Sequence, residues 1–73
     1  MKLMPGKLYK TITMICCDDY GNKVISKNEI ITLIKENKTK QSNMLEYTLV
    51  YKSKIVTFIE RKVIMEYSLK ELK

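Results

Sequence analysis

The chain contains no alanine, no histidine and no tryptophan, and only one proline and two glycines. Alanine is the strongest helix former, so its absence takes away the usual filler of helices. In its place stand nineteen β-branched residues (4 Val, 9 Ile, 6 Thr), with six more from Tyr and Phe. Such side chains suit a pleated, half-buried surface, and the composition leans towards β. The lack of histidine removes the commonest general base near neutral pH. Gly6 and Gly21 stand apart, so no glycine-rich phosphate loop can form. Of the eight acidic residues only Asp18 and Asp19 are adjacent, and on a strand they would point to opposite faces. A chain of this size also has little room for a substrate pocket. The expectation is a protein that is not an enzyme.

Long hydrophobic runs are missing too: nothing approaches the roughly 18 apolar residues that span a bilayer, and no membrane association is expected. Met1 to Pro5 is too short for a secretory signal, and Pro-Gly interrupts it. The only cysteines, Cys16 and Cys17, are neighbours, which rarely bridge because the ring is strained. A reducing cytoplasm is the expected location. A structural zinc site wants two separated ligand pairs, and this chain has a single adjacent pair. A nucleophilic cysteine wants a histidine or another setting that lowers its pKa, whereas Asp18 and Asp19 would raise it. No metal and no cofactor is expected. One cysteine reads as a small buried hydrophobe and the other as a strand-end residue.

What is present is a single-domain chain of 73 residues with a net charge of +6, carried by 13 lysines and one arginine. A surplus of positive charge suits nucleic acid or an acidic protein face. It also serves as a solubility coat, with lysine blunting exposed sheet edges. The scarcity of arginine counts against base reading, where the planar guanidinium is the better tool.

Alternation marks the strands. Leu8 to Ile15 sets Leu8, Lys10, Ile12 and Met14 against Tyr9, Thr11, Thr13 and Ile15, after a Pro5-Gly6 turn and before a second turn at residues 18–22. Lys27 to Glu36 is ambiguous. As a helix over about 27–37, Ile30, Ile31, Leu33 and Ile34 share an arc, and Ser26 with Glu29 has capping-box spacing. As a strand, Ile31 and Leu33 share one face, and Ile30, Thr32 and Ile34 the other. Four β-branched residues in ten, and a polar loop over Glu36 to Asn43, favour the strand. Met44 to Tyr51 places Leu45, Tyr47, Leu49 and Tyr51 opposite Met44, Glu46, Thr48 and Val50. A tight connection at Lys52-Ser53-Lys54 leads to a strand over Ile55 to Ile59. After Glu60-Arg61-Lys62, Val63, Met65, Tyr67 and Leu69 alternate with Ile64, Glu66 and Ser68, which predicts a fifth strand. The expected fold is all-β: a small five-stranded antiparallel barrel over residues 1–73, with an α+β fold as the alternative if residues 27–37 are helical.

The segments Ile25 to Glu36, Tyr47 to Ile59 and Tyr67 to Leu72, with the opening Met4 to Lys10, together resemble an SH3-like barrel. The opening is similar to the start of small SH3-like proteins of bacteriophages. The resemblance covers most of the chain and rests on strand patterns. It implies a scaffold, which does not fix a function, and, for a viral protein, the host cytoplasm. The aromatic groove of peptide-binding SH3 domains needs a tryptophan and suitably placed prolines. Here tryptophan is absent and the one proline is Pro5, so proline-rich peptide binding is not carried over.

Two functions from different classes are consistent with these features. The first is a protein-interaction module, of the kind a phage uses to bind and modulate a host or viral protein, with a homodimer as one way to cover its apolar surplus. Both faces of most strands carry large apolar groups, and Met44, Val50, Ile55 and Ile59 are the candidate interface. The second is a nucleic-acid-binding barrel using the clusters Lys35, Lys38 and Lys40, and Tyr51, Lys52 and Lys54. Lys7 and Lys10 could join one end, and Tyr9, Tyr20 and Tyr51 could stack on bases. In a meander the two clusters fall at opposite ends of a shared strand, which weakens this second reading.

Overall fold

A computed structural model describes residues 3–16 and 24–72. The elements are β1 (Leu8–Thr11), β2 (Ile15–Cys16), β3 (Val24–Ile25), β4 (Ile30–Lys38), β5 (Met44–Tyr51), β6 (Lys54–Arg61), α1 (Lys62–Ser68) and β7 (Leu69–Glu71). Five strands form one antiparallel sheet in the order β6-β5-β4-β1-β7, and β2 and β3 pair as a separate small ribbon. The fold is mostly β. β6 and β7 end the ladder and do not pair with each other, so the sheet is not closed into a barrel.

The ambiguous segment at residues 27–37 is not a helix: residues 27–29 turn the chain and the strand β4 begins at Ile30. Ile31 and Leu33 are buried while Ile30 and Ile34 are exposed, which is the period of two that a strand imposes. The backbone of the two residues with capping-box spacing is held by the buried Thr11. Its hydroxyl donates to the Ser26 carbonyl at 2.6 Å and accepts from the Glu29 amide at 2.8 Å. The chain turns between them at Asn28, whose φ of 68° is one that asparagine tolerates. β5 spans the expected residues, with Tyr47 and Leu49 fully buried and Leu45 and Tyr51 packed against the core. The turn after it has only Lys52 and Ser53 between paired Tyr51 and Lys54, and both take positive φ (50° and 64°). That is the geometry of a tight hairpin matching the twist of its strands.

Four expectations are corrected. Residues 8–15 are not one strand: β1 ends at Thr11, where its side chain is tied across to Ser26 and Glu29, and the Ile12 amide donates to the Ser68 carbonyl instead. The loop expected at 36–43 is shorter, since β4 continues through Lys38, with Glu36 opposite Tyr47 and Lys38 opposite Leu45. β6 is longer than Ile55 to Ile59, extending from Lys54 to Arg61. The strand expected over Val63 to Leu69 is mainly a helix. Met65 and Ser68 face inwards at helical spacing, while Val63, Ile64 and Tyr67 lie on the exposed side. Ser68 Oγ donates to the Ile64 carbonyl one turn back. The turn expected at 18–22, and Cys17, lie outside the described residues.

The core joins the inner faces of the main sheet to Ile15 and Ile25 of the small ribbon and to Met65 of α1. Each large apolar side chain buried there contributes about 1.5–3 kcal/mol relative to exposure.

Candidate functional site

The pairing of β5 with β6 builds the candidate surface. Eight consecutive residue pairs, from Met44 opposite Arg61 to Tyr51 opposite Lys54, run without a register shift. Opposed residues in an antiparallel pair share a face. Tyr47–Phe58 and Leu49–Val56 therefore face the core, and the Tyr47 and Phe58 rings lie 6.0 Å apart between centroids. On the outer face Val50 pairs with Ile55, Thr48 with Thr57, Glu46 with Ile59 and Met44 with Arg61.

All four expected interface residues thus share the outer face, but they form two spots. Val50 with Ile55 lies near the Lys52-Ser53 turn. Met44 and Ile59 line a shallow hollow of about 380 Å³ with Thr39, Lys40 and Gln41 at the other end. Between the spots runs a polar row, where the Thr48 and Thr57 hydroxyls lie 3.3 Å apart beside Lys35. Exposure is uneven across the ribbon. Ile55 is 73% exposed and Ile59 49%, whereas Met44 and Val50 are half-buried. The exposed apolar groups belong to β6, the strand at the edge. The row that pairs Ile55 with Val50 continues across the sheet, with Val50 opposite Thr32 and Thr32 opposite the exposed Leu8.

The expected lysine clusters do not converge. Lys38 and Lys40 sit at the β4–β5 connection, and Lys52 and Lys54 at the β5–β6 turn at the far end of β5. Lys35 lies on β4 opposite Thr48. Tyr51 is half-buried against the core, with the Lys52 ammonium 5.3 Å from its ring centroid. Contact with the Tyr51 hydroxyl, and then the negative charge of Glu29, hold Lys52 above its ordinary pKa. Tyr9 is a core residue whose hydroxyl accepts a hydrogen bond from the Met4 amide at 2.7 Å, so it offers no stacking face. Tyr20 lies outside the described residues. Lys7 pairs with Glu71 at 2.8 Å, and that hydrogen bond and charge raise its pKa.

Three lysines do come together, Lys10 from the expected set and two, Lys27 and Lys70, that the pattern did not single out. The register sets Lys10 directly opposite Lys70, and both line a cleft of about 610 Å³ with Lys27, Asn28, Ile12, Leu72 and the acidic Glu71. Among the described residues no salt bridge joins Lys10, Lys27 or Lys70. Lys10 meets Lys70 through β1–β7 pairing, which joins residues some sixty positions apart and leaves no local trace in the sequence, and Lys27 is brought beside them by the Asn28 amide donating to the Thr11 carbonyl.

Among the described residues, no group of three or more Cys, Asp or Glu side chains is placed to hold a metal ion, and no helix is long and apolar enough to cross a membrane. Cys16 is a free, exposed thiol in β2. No family model, curated protein or solved structure matches the chain.

Proposed function

We propose that this chain is a non-enzymatic protein-interaction module, of the kind phages use as accessory proteins to bind and modulate a host or viral protein in the host cytoplasm. Its working surface is the outer face and free edge of the β5–β6 ribbon. The observation that carries this reading is the pair of large apolar side chains, Ile55 and Ile59, held exposed on one face of an edge strand. Large apolar groups held in water on an unpaired edge are expected to be covered by a partner. The SH3-like reading of the scaffold is supported by a three-stranded meander, β4 to β6, and by the pairing of first and last main-sheet strands, β1 with β7. A small sheet arranged in this way can curl towards closure.

The test is a photoreactive phenylalanine analogue placed at position 55, at 59, or at the exposed control position 38, followed by irradiation in an extract of cells that make the protein. The expected result is a discrete adduct from positions 55 and 59 and none from 38. Equal adducts from all three, or none from any, overturn the reading.

The Lys10–Lys27–Lys70 cleft supports a second reading, binding of a nucleic-acid backbone. Fluorescence anisotropy with labelled oligonucleotides in a salt series checks it. Neutralised phosphates release counterions, so affinity should fall on a log–log plot with a slope of about −0.7 to −0.9 per contact. K10E/K70E should flatten that slope; an unchanged slope, or no binding at low salt, removes this second reading.

A further inference from the structure

We infer that the free edge of β6 is a docking site for a second copy of the same chain, the two strands pairing antiparallel about a two-fold axis that passes beside Thr57. This inference rests on the protein-interaction reading above and names the partner.

The edge is open. β6 has β5 as its only ladder neighbour among the described residues. Among the described residues no backbone hydrogen bond outside that ladder engages residues 54–60. Folded proteins blunt such edges with charge, proline, bulges or shortness. β6 has eight residues and no register shift, and its five central positions, Ile55 to Ile59, hold neither charge nor proline.

The strand is also chemically self-complementary. Two copies that extend one sheet must pair residues lying on the same face, so a symmetric register has to be centred on a residue and not between two. Centring on Thr57 sets Lys54 opposite Glu60, Ile55 opposite Ile59, Val56 opposite Phe58 and Thr57 opposite its own copy. Opposite charges meet at both ends of the seam, the two exposed isoleucines cover each other, and inner-face residues meet inner-face residues. The neighbouring registers fail. Centred on Val56, Lys54 falls opposite Phe58; centred on Phe58, Val56 falls opposite Glu60 and Ile55 opposite Arg61. Only the Thr57 register satisfies charge and apolar pairing together. The product is a continuous sheet of ten strands, five from each copy.

Sedimentation equilibrium of the full chain over a micromolar to submillimolar range tests this, with circular dichroism confirming that each variant is folded. The wild type should sediment at twice the chain mass at the upper end. K54E opposes two glutamates and E60K opposes two lysines, each twice per dimer, so each should weaken association about 10- to 100-fold. An equimolar mixture of the two variants restores opposite charges at both ends and should regain wild-type association. Glu60 is half-buried, so E60K carries some risk to folding. T57K and T57E change an exposed residue and give the same pattern: weak alone, restored when mixed. A dimer indifferent to these changes, or mixtures that fail to associate, overturn the inference. If the wild type stays monomeric while position 55 yields an adduct with a different protein, the dimer falls and the module reading stands. A monomer with no adduct sinks both.

Discussion

The two edges of the main sheet are treated differently. β7 has three residues, with Leu69 buried, Lys70 exposed and Glu71 tied to Lys7. Shortness and charge make it a poor template for another strand. β6 offers eight residues in unbroken register, with its charges only near the ends. One edge is protected and the other is left open and apolar on its outer side. A small β protein that leaves such an edge open risks aggregation unless something specific covers it, and that contrast turns a fold description into a functional claim.

The largest effect that could break the contrast lies beneath β6. Leu49 is fully buried opposite Val56, and L49A should cost about 2–5 kcal/mol through lost transfer energy and the cavity left behind. Ile55, on the other face of the same ribbon, should cost the isolated fold less than about 0.5 kcal/mol when changed to Ser. Urea denaturation at low protein concentration compares them. A loss of core size for I55S would mean that the outer side of β6 is already covered within the chain.

The next effect concerns the turn that sets the register of β6. Lys52 and Ser53 both sit at positive φ without being Gly or Asn. K52N/S53G supplies the residues this turn favours and should raise stability by about 1 kcal/mol, seen as a melting temperature some 4–8 °C higher. A lower melting temperature would show that the lysine over Tyr51 outweighs the backbone strain.

Tyr47 ties β6 to the core from the β5 side, and its buried hydroxyl has no hydrogen-bond partner among the described residues. Burial, then the negative charges of Glu36, Glu66 and Glu60, push its phenol pKa well above the ordinary value. The neutral form is therefore favoured in the folded state. This contribution is complete below about pH 10, where the unfolded chain's phenol is also protonated, and is lost as pH rises above that. Y47F removes an unsatisfied polar group and should be neutral or stabilising by about 1 kcal/mol at pH 7. It should also make stability fall less steeply in alkali. A marked loss at neutral pH would mean that the hydroxyl has a partner after all.

The meander was legible because its periodicity is local. Ile31 and Leu33, and then Tyr47 and Leu49, mark the buried face two residues at a time, and the structure buries those side chains. Helix α1 was not legible, because Val63, Met65, Tyr67 and Leu69 alternate as a strand would. Three of the helix's large apolar residues are exposed, so hydrophobicity there does not report burial. The outer-face set Met44, Val50, Ile55 and Ile59 could be found from parity, but not the fact that β6 ends the ladder. Edge status depends on which strand receives β1, a contact between residues far apart in the chain. The Lys10–Lys70 pairing was hidden for the same reason.

The smallest expected effect is at the protected edge. E71Q removes the ion pair with Lys7, a contact between two solvent-accessible groups. Exposed pairs of this kind gain little because water already solvates both charges and salt screens them. The melting temperature should move only slightly, and the difference from wild type should shrink as salt is added. Self-association should not change, since β7 takes no part in the Thr57-centred seam. If E71Q instead shifts the sedimentation profile as much as K54E does, then β7 contributes to the contact between copies, and the contrast between a closed and an open edge fails.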